Sequence, residues 1–417
     1  MKAILVVRRR HRQAEILRTG RLPPLTDPLY RLNVICPYFT MFPLSFPVRI
    51  LRRASPRDWV LEPFCGRGTT LFAARLLGLA SVGLDSNPVA AAVAGAKLVR
   101  VTADEVTNVA KRLLATRDDG VEIPTGDFWT ECYHFETLAE ICKLRSRLLE
   151  NCTTQAEVAL RAVLLGILHG PVNKGLPTYL SNQMPRTYAT KPKSAVNFWR
   201  KRGLKPKRVD VLDAVRRRAS FTFASIPAAV PGKVFQADSR TFTLPARQRV
   251  FRWVITSPPY YGMRSYWPDQ WLRNWFLGGP AEVSYTTEQQ IPHSSKEDFV
   301  ASLSEVWRRS AAVCVPGARL VVRFGALPSV SKDDPKVLLA RSLRKADCGW
   351  RITTVIRAGT AQKRRRLAMN LTETTTRLVA QTKLNCKLDE IWQSNGKRLR
   401  RKRLSNFSVA MRDGGLC

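Results

Sequence analysis

The sequence predicts an α/β protein: a mostly parallel sheet interrupted by a mostly helical insertion. Three observations predict it. From Val60 the chain reads "VLEPFCGRGTTLFAARLLGLASVGLDSNPVAAAVAGAKL", which is strand, glycine turn, helix, strand, acidic end and helix. Strands alternating with helices imply a parallel sheet. Residues 102–220 lose that alternation and read as helices, and the strand pattern resumes at "KVFQADSRTF" and "RVFRWVITSPPY". With 417 residues, 45% of them hydrophobic, the chain suffices for one large domain with an insertion, or for two domains.

Residues 1–30 are basic and contain prolines, as an arm would. The helix from Thr70 carries apolar residues at 71, 72, 76 and 77, one face of a 3.6-residue period. Pro88 after Asn87 occupies a natural first helical position. "TADE" at Thr102–Glu105 and "TQAE" at Thr154–Glu157 are capping boxes that open helices. Between them Asp127–Leu149 is helical in pattern, and "RVDVLDAVRRRA" closes the insertion as a basic helix. Beyond "PDQWLRNWF" a helix is expected near Lys296–Val315 and a strand at "GARLVVRFG". "WRITTVIRAGT" and "TTTRLVAQTK" form a closing hairpin around the basic "QKRRR". The expected domains are an arm at 1–30, a catalytic domain from 31–101 and 221–385, the insertion at 102–220 and a basic tail at 386–417.

Charge is the most unusual bulk property. Lys and Arg number 69 against 32 Asp and Glu, a formal charge of +37. An excess this large and clustered points to a polyanion partner rather than to a merely solvated basic surface. The nine cysteines include no CxxC pair and stand beside only four histidines, so no metal is expected and reduced thiols fit best. "MKAILVVRRRHR" places apolar residues before charges, the reverse of a secretory signal. No apolar run is long enough to span a bilayer. The expectation is a soluble cytoplasmic, nucleoid-associated protein.

Two stretches carry chemistry. In "EPFCGRGTT", Gly66 and Gly68 let the backbone turn sharply and approach a ligand. Asp85 ends the next strand, where an acid can take two ribose hydroxyls, and Asp238 ends a later one, where an acid can accept from an adenine amine. The dinucleotide fingerprint is not met, because Leu71 stands where its third glycine would be, and no Walker sequence occurs. The second stretch is "TSPPYYG". Alone, Pro258-Pro259 simply stops a strand and Tyr-Tyr-Gly makes a turn.

Taken together, "EPFCGRGTT", "GLDSNP", "QADS" and "TSPPY", in this order, resemble the S-adenosylmethionine-dependent amino-methyltransferases of DNA. That family has a D/E-P-F-x-G-x-G cofactor motif and an S/D/N-P-P-Y/F/W catalytic motif. The upstream "YFTMFPLSFPVRIL" looks like its N-terminal cofactor segment, and the match covers residues 36–98 and 233–325. The resemblance implies a seven-stranded, Rossmann-like class I methyltransferase sheet, S-adenosylmethionine as cofactor, and double-stranded DNA as partner with the target base flipped out. It implies that Phe64, Gly66 and Gly68 line the methionine part of the cofactor and that Glu62 lies near its amino group. Asp85 would hold the ribose and Asp238 the adenine, with Thr40 and Phe42 toward the carboxylate end.

The prolines then have a use. An exocyclic amine delocalises its lone pair into the ring, so a catalyst must accept hydrogen bonds that turn the nitrogen toward tetrahedral. Ser257 Oγ and the Pro258 carbonyl can accept, Pro258 and Pro259 fix that carbonyl's direction, and Tyr260 can stack on the base. Tyr261 reads as core or rim, and Cys65 as a small apolar spacer. Arg264, Asp269 and Asn274 can orient the base, though capping or solvation explains each singly. Relatives with Ser before Pro-Pro-Tyr mostly methylate cytosine N4, which makes a cytosine-N4 DNA methyltransferase, of the restriction-modification kind or an orphan, the leading expectation. Adenine N6, a guanine N2 in RNA, and a catalytically dead nucleic-acid-binding protein compete with it. The insertion separates the ribose acid from the adenine acid, unlike many relatives. Its "SNQMPRTYATKPKSAVNFWRKR" mixes cations with stackable rings and is the candidate nucleic-acid contact.

Overall fold

The protein is described by a computed structural model covering residues 27–38, 42–117, 120–171, 179–184, 191–244, 250–262, 268–283, 295–325, 334–358 and 375–382, with a few single positions besides. The strands are β1 Trp59–Glu62, β2 Ala80–Asp85, β3 Gly232–Gln236, β4 Phe251–Thr256, β5 Cys314–Gly325, β6 Trp350–Ala358 and β7 Thr375–Thr382. They form one sheet of 7 strands in the order β3-β2-β1-β4-β5-β7-β6. Five strands, β3 to β5 across the sheet, pair in parallel; β7 runs antiparallel to both β5 and β6, which makes the expected closing hairpin. This is the Rossmann-like class I methyltransferase order.

β1, β2 and β4 are buried almost throughout, as strands covered on both faces must be. Alternate residues serve opposite layers. Val60, Trp253, Ile255 and Val321 join the core on one face, and Leu61, Val254, Leu320 and Val322 join the core on the other.

The first face is covered by α1 Ser45–Leu51, α2 Thr69–Leu76 and α3 Pro88–Gly95. Asn87 caps α3 through Val89 N–H, with Pro88 at its start. The period of α2 suggests one apolar face, yet every residue of it is buried, Arg75 included. The reason is that α1 packs on it opposite the sheet, while Arg75 reaches the chain segments that lead into and out of the insertion. The insertion folds as α4 Ala103–Leu114, α5 Asp127–Cys132, α6 Phe135–Glu150, α7 Gln155–Ile167, α8 Pro192–Lys201 and α9 Val211–Thr222. Both capping boxes close reciprocally, Thr102 with Glu105 and Thr154 with Glu157. The single helical stretch expected over 127–149 is two helices, because Tyr133 turns extended and sends its hydroxyl to the Leu168 carbonyl at 2.9 Å. Phe72 of α2, Val93 of α3, Val106 of α4, Leu160 of α7 and Val215 of α9 lie in one core cluster, so the insertion has no separate core.

Arg75 fastens the insertion at its root. Its guanidinium donates to the carbonyls of Lys97 at 2.6 Å and Val99 at 2.8 Å, before the insertion, and of Pro227 at 2.9 Å and Ala228 at 3.1 Å, after it. Burial lowers its pKa to about 10, so it stays charged at neutral pH.

The opposite face is covered by two helices beyond β4. A short helix comes first in the chain, α10 Trp271–Phe276, and packs with the first core. α11 Lys296–Ala312, capped by Ser295, and α12 Pro335–Ala346, capped by Asp334, form the second layer. Trp307 ties them, donating to Ser342 Oγ at 2.9 Å while its carbonyl accepts from Trp350 Nε1 at 3.1 Å. The basic arm up to residue 14, the "QKRRR" connection and the tail lie outside the described residues. Among the described residues no helix is long and apolar enough to cross a membrane, and no group of three His, Cys, Asp or Glu is placed to hold a metal. Cys36, Cys65, Cys132, Cys142, Cys152, Cys314 and Cys348 are buried and form no disulfide.

Candidate active site

Strand order reverses between β1 and β4: β2 and β3 follow β1 to one side, and β5 follows β4 to the other. In such sheets ligands bind at the carboxyl ends beside this switch. β1 ends at Glu62 and β4 at Thr256, with Leu61 opposite Val254, so the glycine turn and the Ser-Pro-Pro-Tyr loop leave the sheet side by side.

The turn is built by its backbone. Cys65 N–H donates to the Leu84 carbonyl at 2.9 Å, and Gly68 N–H to the Cys65 carbonyl at 2.7 Å. Gly66 and Gly68 both hold left-handed φ, at 48° and 75°. They do so for different reasons. A Cβ on Gly68 would meet Ala94 Cβ at 2.9 Å, so Gly68 lets α3 pack against the turn. A Cβ on Gly66 would meet nothing within 4 Å, which leaves that side of the turn open. Gly68→Ala should therefore cost about 2–4 kcal/mol, from strain and overpacking together. Gly66→Ala should cost about 1–2 kcal/mol, from strain alone. Chemical denaturation of the two variants measures the difference; equal losses would contradict this division.

Asp85 latches the turn. Its Oδ2 accepts from Gly66 N–H at 2.8 Å and its Oδ1 from Asn87 N–H at 2.9 Å. Burial nonetheless pushes its carboxyl up to about 6, against the lowering effect of those two bonds. Glu62 is 1% exposed and its Oε2 has no hydrogen-bond partner. Burial raises its pKa well above the carboxylate range. Cys65 is buried with its thiol pushed far up by burial, which suits a spacer and not a nucleophile. Phe64 is half-buried and packs on the second core.

Asp238 stands just beyond β3, where Ala237 N–H donates to the Asp85 carbonyl at 2.9 Å. Both its oxygens already accept from Arg240, at 2.6 Å to 3.0 Å. Burial would raise its pKa, but the Arg240 guanidinium and N–H outweigh it and hold it low. Phe42 packs edge-on against Phe46 at 5.3 Å, and Arg323 at the end of β5 covers the Phe46 ring at 5.7 Å. Thr40 and Arg264 lie outside the described residues.

In the second loop Pro258 is buried, and Ser257, Pro259, Tyr260 and Tyr261 are half-buried. Tyr260 meets Phe324 edge-on at 5.7 Å, and Tyr261 meets Phe299 at 5.4 Å. Phe299 and Phe324 stack at 6.1 Å. The two tyrosines, which the sequence separates into stacking and core residues, thus lean alike on one aromatic wall. Asp269 is half-buried in a turn before α10, and the Asn274 carbonyl accepts from Leu277 and Gly279 N–H at 2.9 Å, a helix-end role.

Sequence reasoning missed Arg273. Fully buried, it donates to the Leu165 carbonyl at 2.9 Å, the Pro37 carbonyl at 3.0 Å and Gln270 Oε1 at 2.7 Å. It joins the helix behind the Ser-Pro-Pro-Tyr loop to the N-terminal segment and to α7. The only signal was a cation inside an aromatic run, "WLRNWF".

The candidate nucleic-acid segment is corrected in part. Trp199 is fully buried and donates to the Gln183 carbonyl, so it is not a free stacking ring. The 3.6 period explains it, since Ala195, Val196 and Trp199 share the inner face of α8. Arg200 pairs with Asp127 at 3.0 Å and Glu131 at 3.3 Å, and Lys205 with Glu131 at 3.4 Å. Arg202 covers Phe198 at 4.2 Å. Lys193 and Lys201 are exposed.

A family model described as DNA methylase matches residues 17–95. That stretch of the chain, which holds the N-terminal segment, the glycine turn and Asp85, is similar to the family. No curated protein matches. Among solved structures, an rRNA methyltransferase from Streptomyces viridochromogenes is 15% identical over 85% of this chain and 93% of its own, with a TM-score of 0.31. A SAM-dependent methyltransferase from Methanosarcina mazei is 11% identical over 83% and 100%, also at 0.31. At such scores nothing of their chemistry transfers; the fold rests on the strand order.

Proposed function

We propose that the chain transfers a methyl group from S-adenosylmethionine to the exocyclic amine of a base flipped out of DNA, with cytosine N4 as the target. The observation that carries this reading is the adjacency of two loops at the strand-order switch. One is a glycine turn latched by an acid, and the other a Ser-Pro-Pro-Tyr loop on an aromatic wall.

The residues present fit the cofactor. Gly66 leaves open space, Glu62 Oε2 is buried without a partner, and Asp85 carries a carboxylate that burial has made a better acceptor. When bound, S-adenosylmethionine supplies an electrophilic methyl group on its sulfonium. Asp85 would hold the ribose, Glu62 the ammonium, and Phe64, Gly66 and Gly68 the methionine part, with Thr40 and Phe42 beyond. Asp238 would have to share its carboxylate between Arg240 and an adenine amine. Ser257 Oγ and the Pro258 carbonyl accept hydrogen bonds from the target amine, which localises its lone pair for attack. Tyr260, braced by Phe324, offers a face to a base that must leave the stack. The +37 formal charge favours a polyanionic substrate. Ser before Pro-Pro-Tyr favours cytosine over adenine through the family correlation alone.

Cofactor binding tests the reading through pH. A ribose diol needs the ionised form of Asp85. The contribution of Asp85 to affinity should be flat above pH about 6 and fall by up to about tenfold per pH unit below it. The sign for folding is opposite: a raised carboxyl pKa stabilises the free protein as pH falls toward the ordinary value. Melting temperature from this group and affinity should therefore move in opposite directions. Asp85→Ala should weaken binding through loss of two bonds, each worth about 1.5–3 kcal/mol. Calorimetry showing wild-type affinity in that variant would remove Asp85 from the site.

A further inference from the structure

The half of the sheet from β4 outward is one-sided in charge. β4, β5, β6 and β7 carry Arg252, Arg319, Arg323, Arg351, Arg357 and Arg377 and not one Asp or Glu. The register gathers four of these arginines into two rows. Arg323 stands opposite Arg377 across β5 and β7, and Arg319 stands opposite Gln381, which pairs in turn with Arg351 of β6. Directly opposite residues share a face, and like charges placed so repel. The face is that of the first core: the Arg323 guanidinium lies 5.7 Å from the Phe46 ring centroid, and that of Arg319 lies 5.3 Å from Trp253. Toward β6 this face is open. Arg351, Thr354 and Ile356 are exposed, while α12 packs on β6 and β7 from the second core.

Arg323 also stands beside the chemistry. Thr256 with Val322 is the last pair that joins β4 to β5, so Arg323 follows at the level of Ser257.

We propose that this open face holds the phosphodiester backbone of the substrate nucleic acid, with Arg323 gripping the phosphate of the nucleotide whose base enters the Ser-Pro-Pro-Tyr loop. The inference rests on the methyl-transfer reading and adds where the strand lies.

An aromatic ring takes the flat face of a guanidinium and leaves its in-plane N–H groups for a bidentate phosphate contact. Among the described residues neither Arg319 nor Arg323 is joined to an acid, whereas Arg200 and Lys205 of the insertion already are. A phosphate beside Arg323 would also offset the repulsion across the Arg323–Arg377 pair. The rival ligand is the carboxylate of the cofactor, since Phe46 also meets Phe42. Strand order favours the phosphate. The glycine turn, Asp85 and Asp238 follow β1, β2 and β3, Ser257 follows β4, and Arg323 lies on its far side at the end of β5.

The test follows binding of a fluorescent mixed-sequence DNA duplex to the full chain by anisotropy over a range of salt, and binding of S-adenosylmethionine by calorimetry. Arg319→Gln and Arg323→Gln should each lower the slope of log affinity against log salt by about 1, and the double variant by about 2. Lys111→Gln, which removes the same charge from the exposed side of α4, should leave the slope alone. Affinity for S-adenosylmethionine should match wild type in every variant. If Arg323→Gln does not fold, the exposed Arg319→Gln carries the same expectation. A drop in slope no larger than that of Lys111→Gln overturns the proposal. So does a loss of S-adenosylmethionine affinity with an unchanged slope, which gives Arg323 to the carboxylate of the cofactor. Wild-type chain that binds the duplex and transfers no methyl group to it overturns the methyl-transfer reading instead, and the slopes then still decide the surface.

Discussion

Arg75→Leu is expected to destabilise the chain by about 3–5 kcal/mol, because it strands four carbonyls at once, three of them on buried residues. Those carbonyls belong to Lys97 and Val99 on the way into the insertion and to Pro227 and Ala228 on the way out. Arg75→Lys should rescue little, since a point ammonium on a flexible stem cannot reach partners spread around a planar fork. Urea denaturation followed by far-UV circular dichroism measures the loss. A loss under about 1 kcal/mol would mean that packing alone holds the insertion's ends.

Ser257→Ala is expected to lower methyl transfer by about 100- to 1000-fold, the scale found when one oriented polar group at a reacting centre is removed. Affinity for the cofactor should not change, because none of its proposed holders lies on the Ser-Pro-Pro-Tyr loop. If affinity falls with activity, Ser257 shapes the cofactor site and does not act on the amine. The smallness of the change matters: Ser257 is half-buried at the mouth of the loop, and the buried Pro258 beside it is untouched.

What the sequence made legible was local. The capping boxes at Thr102 and Thr154, the Pro88 start and the closing hairpin are readable because each depends on a few neighbouring residues, and each is present. α12 carries local signals of the same kind, with Asp334 capping and Pro335 leading. What could not be read was burial of cations. Arg75, Lys97 and Arg273 look like surface residues in a chain of 69 Lys and Arg, and only backbone carbonyls and side-chain amide oxygens, most of them far away in the chain, make them interior. The same blindness turned Trp199 into an apparent stacking ring and left the Arg240 clamp on Asp238 unforeseen. The glycines were recognised as a pair, whereas the division of labour between Gly66 and Gly68 depends on where Ala94 comes to lie.

The most direct measurement incubates the full chain with DNA and S-adenosylmethionine labelled on the methyl group, digests the DNA to nucleosides and separates them by mass. The expected result is label in N4-methylcytosine, lost in Ser257→Ala while that variant still binds the cofactor. Label in N6-methyladenine would contradict the base and keep the loop's chemistry; label in RNA alone would contradict the substrate. Bound cofactor with no label in any nucleoside would contradict methyl transfer itself and leave a nucleic-acid-binding protein on a methyltransferase fold.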